Sequence, residues 1–125
     1  MKQVTRNIDP AFARDLLERV PRACICFAGD HGPQSQPVTM LWFEGHYLVG
    51  FYEDVVHQPN PGQEAVLLID EGIYYFDLRA IYIRGQVRPA KTPPNASSGQ
   101  MWFEVIATKT VAWDYGMMRE VKDES

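Results

Sequence analysis

A mainly β protein, in which one leading helix precedes a small closed antiparallel barrel, is the fold class this sequence predicts. Three observations carry that reading. A helical stripe near the start gives way, from Arg22 onward, to short apolar runs punctuated by turn residues. The connections GDHGP and EGH are short enough for hairpins, so the runs they join pair antiparallel, and DEG marks a further turn. Six such runs fit within 125 residues, and closure removes exposed edges that a short sheet could not otherwise hide.

The elements follow in order. Residues 1–8 read as an N-terminal tail. Asp9-Pro10 before AFARDLLERV reads as an N-cap and a proline at the first helical position, with Phe12, Leu16, Leu17 and Val20 on one side of the helix and Pro21 ending it. Strands are predicted at about 22–28, 35–43, 46–52, 64–70, 73–88 and 101–112. The run IYYFDLRAIYIRGQVR is longer than an ordinary strand, and Gly85 marks a bulge or bend where one strand serves two sides of a closed sheet. Ile81, Ile83 and Val87 point one way from it, toward the core; Tyr82, Arg84, Gln86 and Arg88 point the other. Residues 89–100, rich in Pro, Ser and Gly, read as a flexible connector within a single domain spanning 1–125. Asn95-Ala96-Ser97 has the form of a glycosylation sequon, which has no meaning without secretion.

Composition narrows the function classes. Sixteen acidic against 12 basic residues leave a net charge of -4, which repels a phosphate backbone, so nucleic acid is not an expected partner. MKQVTRNIDP lacks the apolar centre of a signal peptide, and no run approaches the length of a membrane span, so a soluble cytoplasmic protein is expected. Cys24 and Cys26 would share one strand face and read as buried free thiols, and His31, His46 and His57 are too scattered for zinc. No G-x-S-x-G, P-loop or H-E-x-x-H occurs, and Asp70-Glu71 before Gly72 reads as turn chemistry. Large aromatics in polar settings, Trp42, Tyr47, Tyr52, Tyr74, Tyr75, Tyr82, Trp102, Trp113 and Tyr115, exceed what one small interior can hold, which predicts a homodimer.

Several stretches together resemble a known family. GPQSQPVTMLWFEGHYLVGFY is similar to the second and third strands of the pyridoxamine 5'-phosphate oxidase-like split barrels. EAVLLIDEGIYYFDLRAIYIRGQV resembles the strands that follow in that family, and TVAWDYGMM resembles the ending of one flavin- or deazaflavin-binding branch. The resemblance covers about residues 9 to 118. It implies a six-stranded antiparallel split β-barrel, homodimeric, with FMN or the deazaflavin F420 in a groove between protomers and hydride or electron transfer carried out by the cofactor. Carried onto this chain, it places cofactor contacts at Val38, Thr39, Phe51, Tyr52, His57, Arg84 and Trp113, and it assigns no residue to catalysis.

One segment departs from the family. The loop after the third strand ordinarily carries S-x-K or S-R-K and often R-N-L, because a phosphate needs charge-assisted donors. Here FYEDVVHQPNPG holds Glu53 and Asp54 and no Lys or Arg; aligned from the left, the family's lysine and serine positions fall on His57 and Val55, and aligned from the right, its lysine and following arginine fall on Val55 and His57. Two unit charges about 4 Å apart interact by about 4 kcal/mol at an effective dielectric of about 20, so this loop disfavours phosphate. A clamp must then come from Arg79, Arg84, Arg88 or Lys109. Two readings follow. The favoured one is an FMN- or F420-dependent oxidoreductase with an altered phosphate loop. The other is a non-catalytic barrel that binds a different small ligand or serves as a dimeric interaction module.

Overall fold

Alternation of buried and solvent-facing side chains along each long strand is the mark of a sheet with one face on a core, and it runs through most of this chain. The computed structural model describes residues 3–20, 22–53, 57–94, 96 and 99–120. Its elements are β1 (Val4–Thr5), β2 (Asn7–Ile8), α1 (Arg14–Arg19), β3 (Arg22–Gly29), β4 (Gly32–Phe43), β5 (His46–Tyr52), β6 (Glu64–Glu71), β7 (Arg79–Pro89), β8 (Gln100–Asp114) and β9 (Arg119–Glu120). Neighbours run β2-β8-β5-β4-β3-β6-β7, every pairing antiparallel, and β7 returns to pair with β8. The result is a closed six-stranded barrel, β3 to β8, with β2 as an added strand and the helix at its start.

Strand β8 makes the closure possible. One edge pairs with β7 from Phe103 to Asp114; the other pairs with β5 through Gln100–Val105 and then with β2 at Ala112 and Trp113. Between those two partners the second edge of β8 has no described strand beside it, and the barrel is split there. The register shifts between Arg84 and Gly85, which face Lys109 and Ala107, so Thr108 is the extra residue and its hydroxyl donates to Arg84 O at 3.1 Å. The bulge expected at Gly85 is therefore present, with the additional residue on the partner strand. A Cβ on Gly85 would lie 2.0 Å from Ile106 O, so only glycine admits this close approach of two backbones.

Ile25, Leu67, Ile69, Ile81, Ile83, Val87, Val49 and Val105 fill the interior, and Ala13, Leu16 and Leu17 join them from the helical segment. Asp9 caps that segment through Ala11 N at 2.9 Å, but Pro10–Ala13 form a 3-10 turn before α1 begins. The tighter turn puts Ala13 into the core and leaves Phe12 74% exposed, contrary to the helical stripe read from sequence. An ion-pair network fastens α1 to the sheet. Arg79 donates to Asp15 Oδ1 at 2.8 Å and Oδ2 at 2.9 Å, to Glu71 at 3.2 Å and to Phe12 O at 3.0 Å, while Arg19 bridges Asp15 and Glu71.

Other expectations are revised. Residues 73–78 are not strand: pairing ends at Glu71 with Arg79, and Asp77 accepts from Tyr74 N at 2.9 Å to hold a local turn. Cys24 and Cys26 are free but stand on the outer side of β3, only partly covered, because Ala23, Ile25 and Phe27 take the inner positions. Two short pairings, β1 with β9 and β2 with β8, occupy the stretch expected as a tail. Pro21, Asp54, Val55, Asn95 and Ser97 lie outside the described residues.

Candidate functional site

Cross-strand pairing fixes which outward side chains stand together. Arg22 of β3 faces Thr39 of β4, Thr39 faces Gly50 of β5, and Gly50 faces Trp102 of β8, forming one row across four strands. Directly paired residues of an antiparallel ladder share a face, so Arg22, Thr39 and Trp102 are on the same outer surface. Tyr52, 60% exposed, pairs with Gln100, whose amide donates to Thr39 Oγ1 at 2.8 Å. That contact uses Thr39 as an acceptor and leaves its hydroxyl hydrogen available to a ligand. Gly50 is bare because the indole of Trp102 lies against it: a Cβ there would be 3.0 Å from the ring. Trp102 is buried, and its Nε1 has no hydrogen-bond partner among the described residues.

A second row runs parallel to the first on the same face. Leu41 faces Leu48, Leu48 faces Glu104, and Glu104 faces Arg88. Glu104, 8% exposed, accepts from Arg88 Nε at 3.1 Å and Arg88 NH2 at 2.7 Å on Oε1, and Oε2 is held by Nδ1 of His46. Burial pushes its carboxyl up, but the hydrogen bonds from His46 and Arg88 outweigh burial and hold it below the usual carboxylate range.

The seven residues carried over from sequence divide by the pleat. Thr39 and Tyr52 stand on this outer face. Val38 and Phe51, their immediate neighbours, point into the core, where Phe51 is 1% exposed and meets Phe103 edge-on at 5.5 Å. Successive strand residues face opposite ways, so neither pair could offer both side chains to one groove. His57 is exposed, and its carbonyl accepts from Gln36 Nε2 at 2.8 Å, which anchors the end of the loop beside β4. Arg84 pairs with Glu64 at 3.2 Å on β7, and Trp113 packs between Tyr82 and Arg6 at the far end of β8 from Trp102. The structure does not bring these two to the Thr39 row.

Of the cations expected to replace the missing clamp, Arg79, Arg84 and Arg88 are each engaged by a carboxylate, and Lys109 sits opposite Arg84. The residue that sequence reasoning passed over is Arg22. Its position was recoverable: a two-residue turn at Asp30-His31 pairs Gly29 with Gly32, and counting back along that hairpin sets Arg22 against Thr39. Gln100 and Trp102 carried no such local signal, because their place depends on the β5–β8 register across a connection of nearly fifty residues. Among the described residues no group of three or more metal-ligating side chains occurs, and no helix is long and apolar enough to cross a membrane.

No family model and no curated protein matches the sequence. Solved structures do match. The FAD binding protein from Mycobacterium smegmatis superposes at a TM-score of 0.67 with 15% identity, over 93% of this chain and 98% of that one. A candidate pyridoxamine 5'-phosphate oxidase from Corynebacterium glutamicum matches at 0.63 with 10% identity, over 87% and 90%. The FAD and heme binding protein from Mycobacterium smegmatis matches at 0.64 with 9% identity, over 86% and 72%. At these identities the likeness is one of fold. The protein has the split-barrel fold that the sequence resemblance implied.

Proposed function

We propose that the protein is a flavin-binding member of the pyridoxamine 5'-phosphate oxidase-like split barrels, holding FMN or F420 on the outer face of β4, β5 and β8. The row Arg22–Thr39–Gly50–Trp102 carries this reading. It supplies one guanidinium and one free hydroxyl hydrogen, flanked by the exposed phenol of Tyr52, which suits a ligand with a phosphate at one end and a ring system at the other. Arg22 takes over the charge that the loop after β5 lacks.

Bound here, a flavin would supply hydride or electron transfer, which makes the protein a candidate oxidoreductase. The chain's own part is to hold the phosphate at Arg22 and Thr39, orient the ring near Tyr52 and exclude water with a second protomer. Tyr52 is 60% exposed beside this row, which supports a homodimer that covers the row. The second reading, a barrel that has lost the cofactor, draws on Glu53 and on the carboxylate partners of Arg79, Arg84 and Arg88.

The test is the visible spectrum of the freshly purified protein, repeated after FMN or F420 is added and the excess removed by gel filtration. A retained band supports cofactor binding; a colourless protein that retains neither favours the second reading.

A further inference from the structure

The second row borders a cavity that the flavin reading does not use. It is an open depression of about 620 Å³, lined by Phe43, His46, Leu48, Arg88, Lys91 and Glu104, with Pro89, Ala90 and the turn residue Glu44 at its margin. That volume is within the range of small-molecule sites, roughly 300–1,000 Å³. Its polar groups are already ordered by the buried carboxylate. Because Nδ1 of His46 is bound to Glu104, that nitrogen carries the ring hydrogen in the neutral imidazole, and Nε2 presents a lone pair. Arg88 spends Nε and one terminal nitrogen on Glu104 and keeps its other donors. Lys91 adds an ammonium, and Phe43, Leu48 and Pro89 add apolar wall.

We infer that this cavity binds a small hydroxylated aromatic monocarboxylate. The carboxylate meets Lys91 and the remaining donors of Arg88, the hydroxyl donates to Nε2 of His46, and the ring lies on Phe43 and Leu48. Glu104 is a positioning residue, acting through His46 and Arg88. This site is separate from the Arg22 row and does not depend on flavin binding.

The probe is 6-hydroxy-2-naphthoate, titrated into isotopically labelled full-length protein and followed by amide and imidazole NMR shifts. Saturable shifts centred on His46, Leu48 and Lys91 are expected, with affinity falling about tenfold for the corresponding carboxamide and for Lys91→Gln, an exposed change that spares the fold. His46→Gln should weaken the hydroxylated probe more than plain 2-naphthoate. Equal affinity for acid and amide, shifts that map away from this cavity, or no saturation at millimolar probe would overturn the assignment. Equal affinity for probe and 2-naphthoate would overturn the role given to His46.

Discussion

Thr39 and Val38 are adjacent in sequence and belong to different parts of the protein. The first stands on the outer face beside Arg22 and Gln100; the second is packed in the core. Their substitutions should separate accordingly. Thr39→Val is expected to weaken flavin binding with little change in thermal unfolding. Phe51→Ala, at the neighbouring strand's core position, should cost about 3–5 kcal/mol of stability in denaturant titration. Sequence alone selected both members of each pair because a family motif marks a segment, whereas the pleat sorts side chains one by one. The count from the Asp30-His31 turn would have sorted them and would have found Arg22. The contact between Trp102 and Gly50 could not be counted, since it rests on a register set across the whole barrel.

At the scale of elements, the bulge between β7 and β8 and the clamp on α1 are the two places where the fold is most exposed to single changes. Gly85→Ala sets a methyl against Ile106 O, and with backbone on both sides neither can yield cheaply. A loss of about 3 kcal/mol or more is expected, read as a lower urea midpoint. The α1 clamp is electrostatic and should show itself in acid. The hydrogen bonds from Arg79 and then Arg19 hold Asp15 well below its ordinary value of 3.8, and those from Arg19 and Arg79 hold Glu71 below 4.5. Carboxylates depressed in the folded state contribute stability that is complete above those ordinary values and is lost as pH falls through the folded ones. Unfolding midpoints should therefore be level from neutral pH down to about 5 and drop below about 4. Asp15→Asn should lower the neutral-pH midpoint and flatten the acid limb; an unchanged acid limb would mean that other carboxylates govern it. Glycine and alternation made the bulge legible in the sequence. The clamp was not legible, because Asp15, Glu71 and Arg79 come together only when β6, β7 and the helix meet. The strand predicted to begin at 73 failed for a related reason: Ile73, Tyr74 and Tyr75 favour strands, but pairing Glu71 with Arg79 leaves them in the connection.

For the whole molecule, the leading helix and six antiparallel strands were readable from periodicity and short turns, and the closed barrel bears that reading out. The proposed cofactor site was readable only as a departure, an acidic loop where the family it resembles has cations. Arg22, on the first barrel strand, is the proposed replacement, one anion anchor standing in for another. Fluorescence-quench titration of FMN and of riboflavin, against the wild-type protein and Arg22→Gln, tests it most directly. FMN should bind more tightly than riboflavin, and Arg22→Gln should remove about 1.5–3 kcal/mol, roughly ten- to a hundredfold, from FMN while leaving riboflavin nearly unchanged. Equal binding of FMN by the two proteins would contradict it.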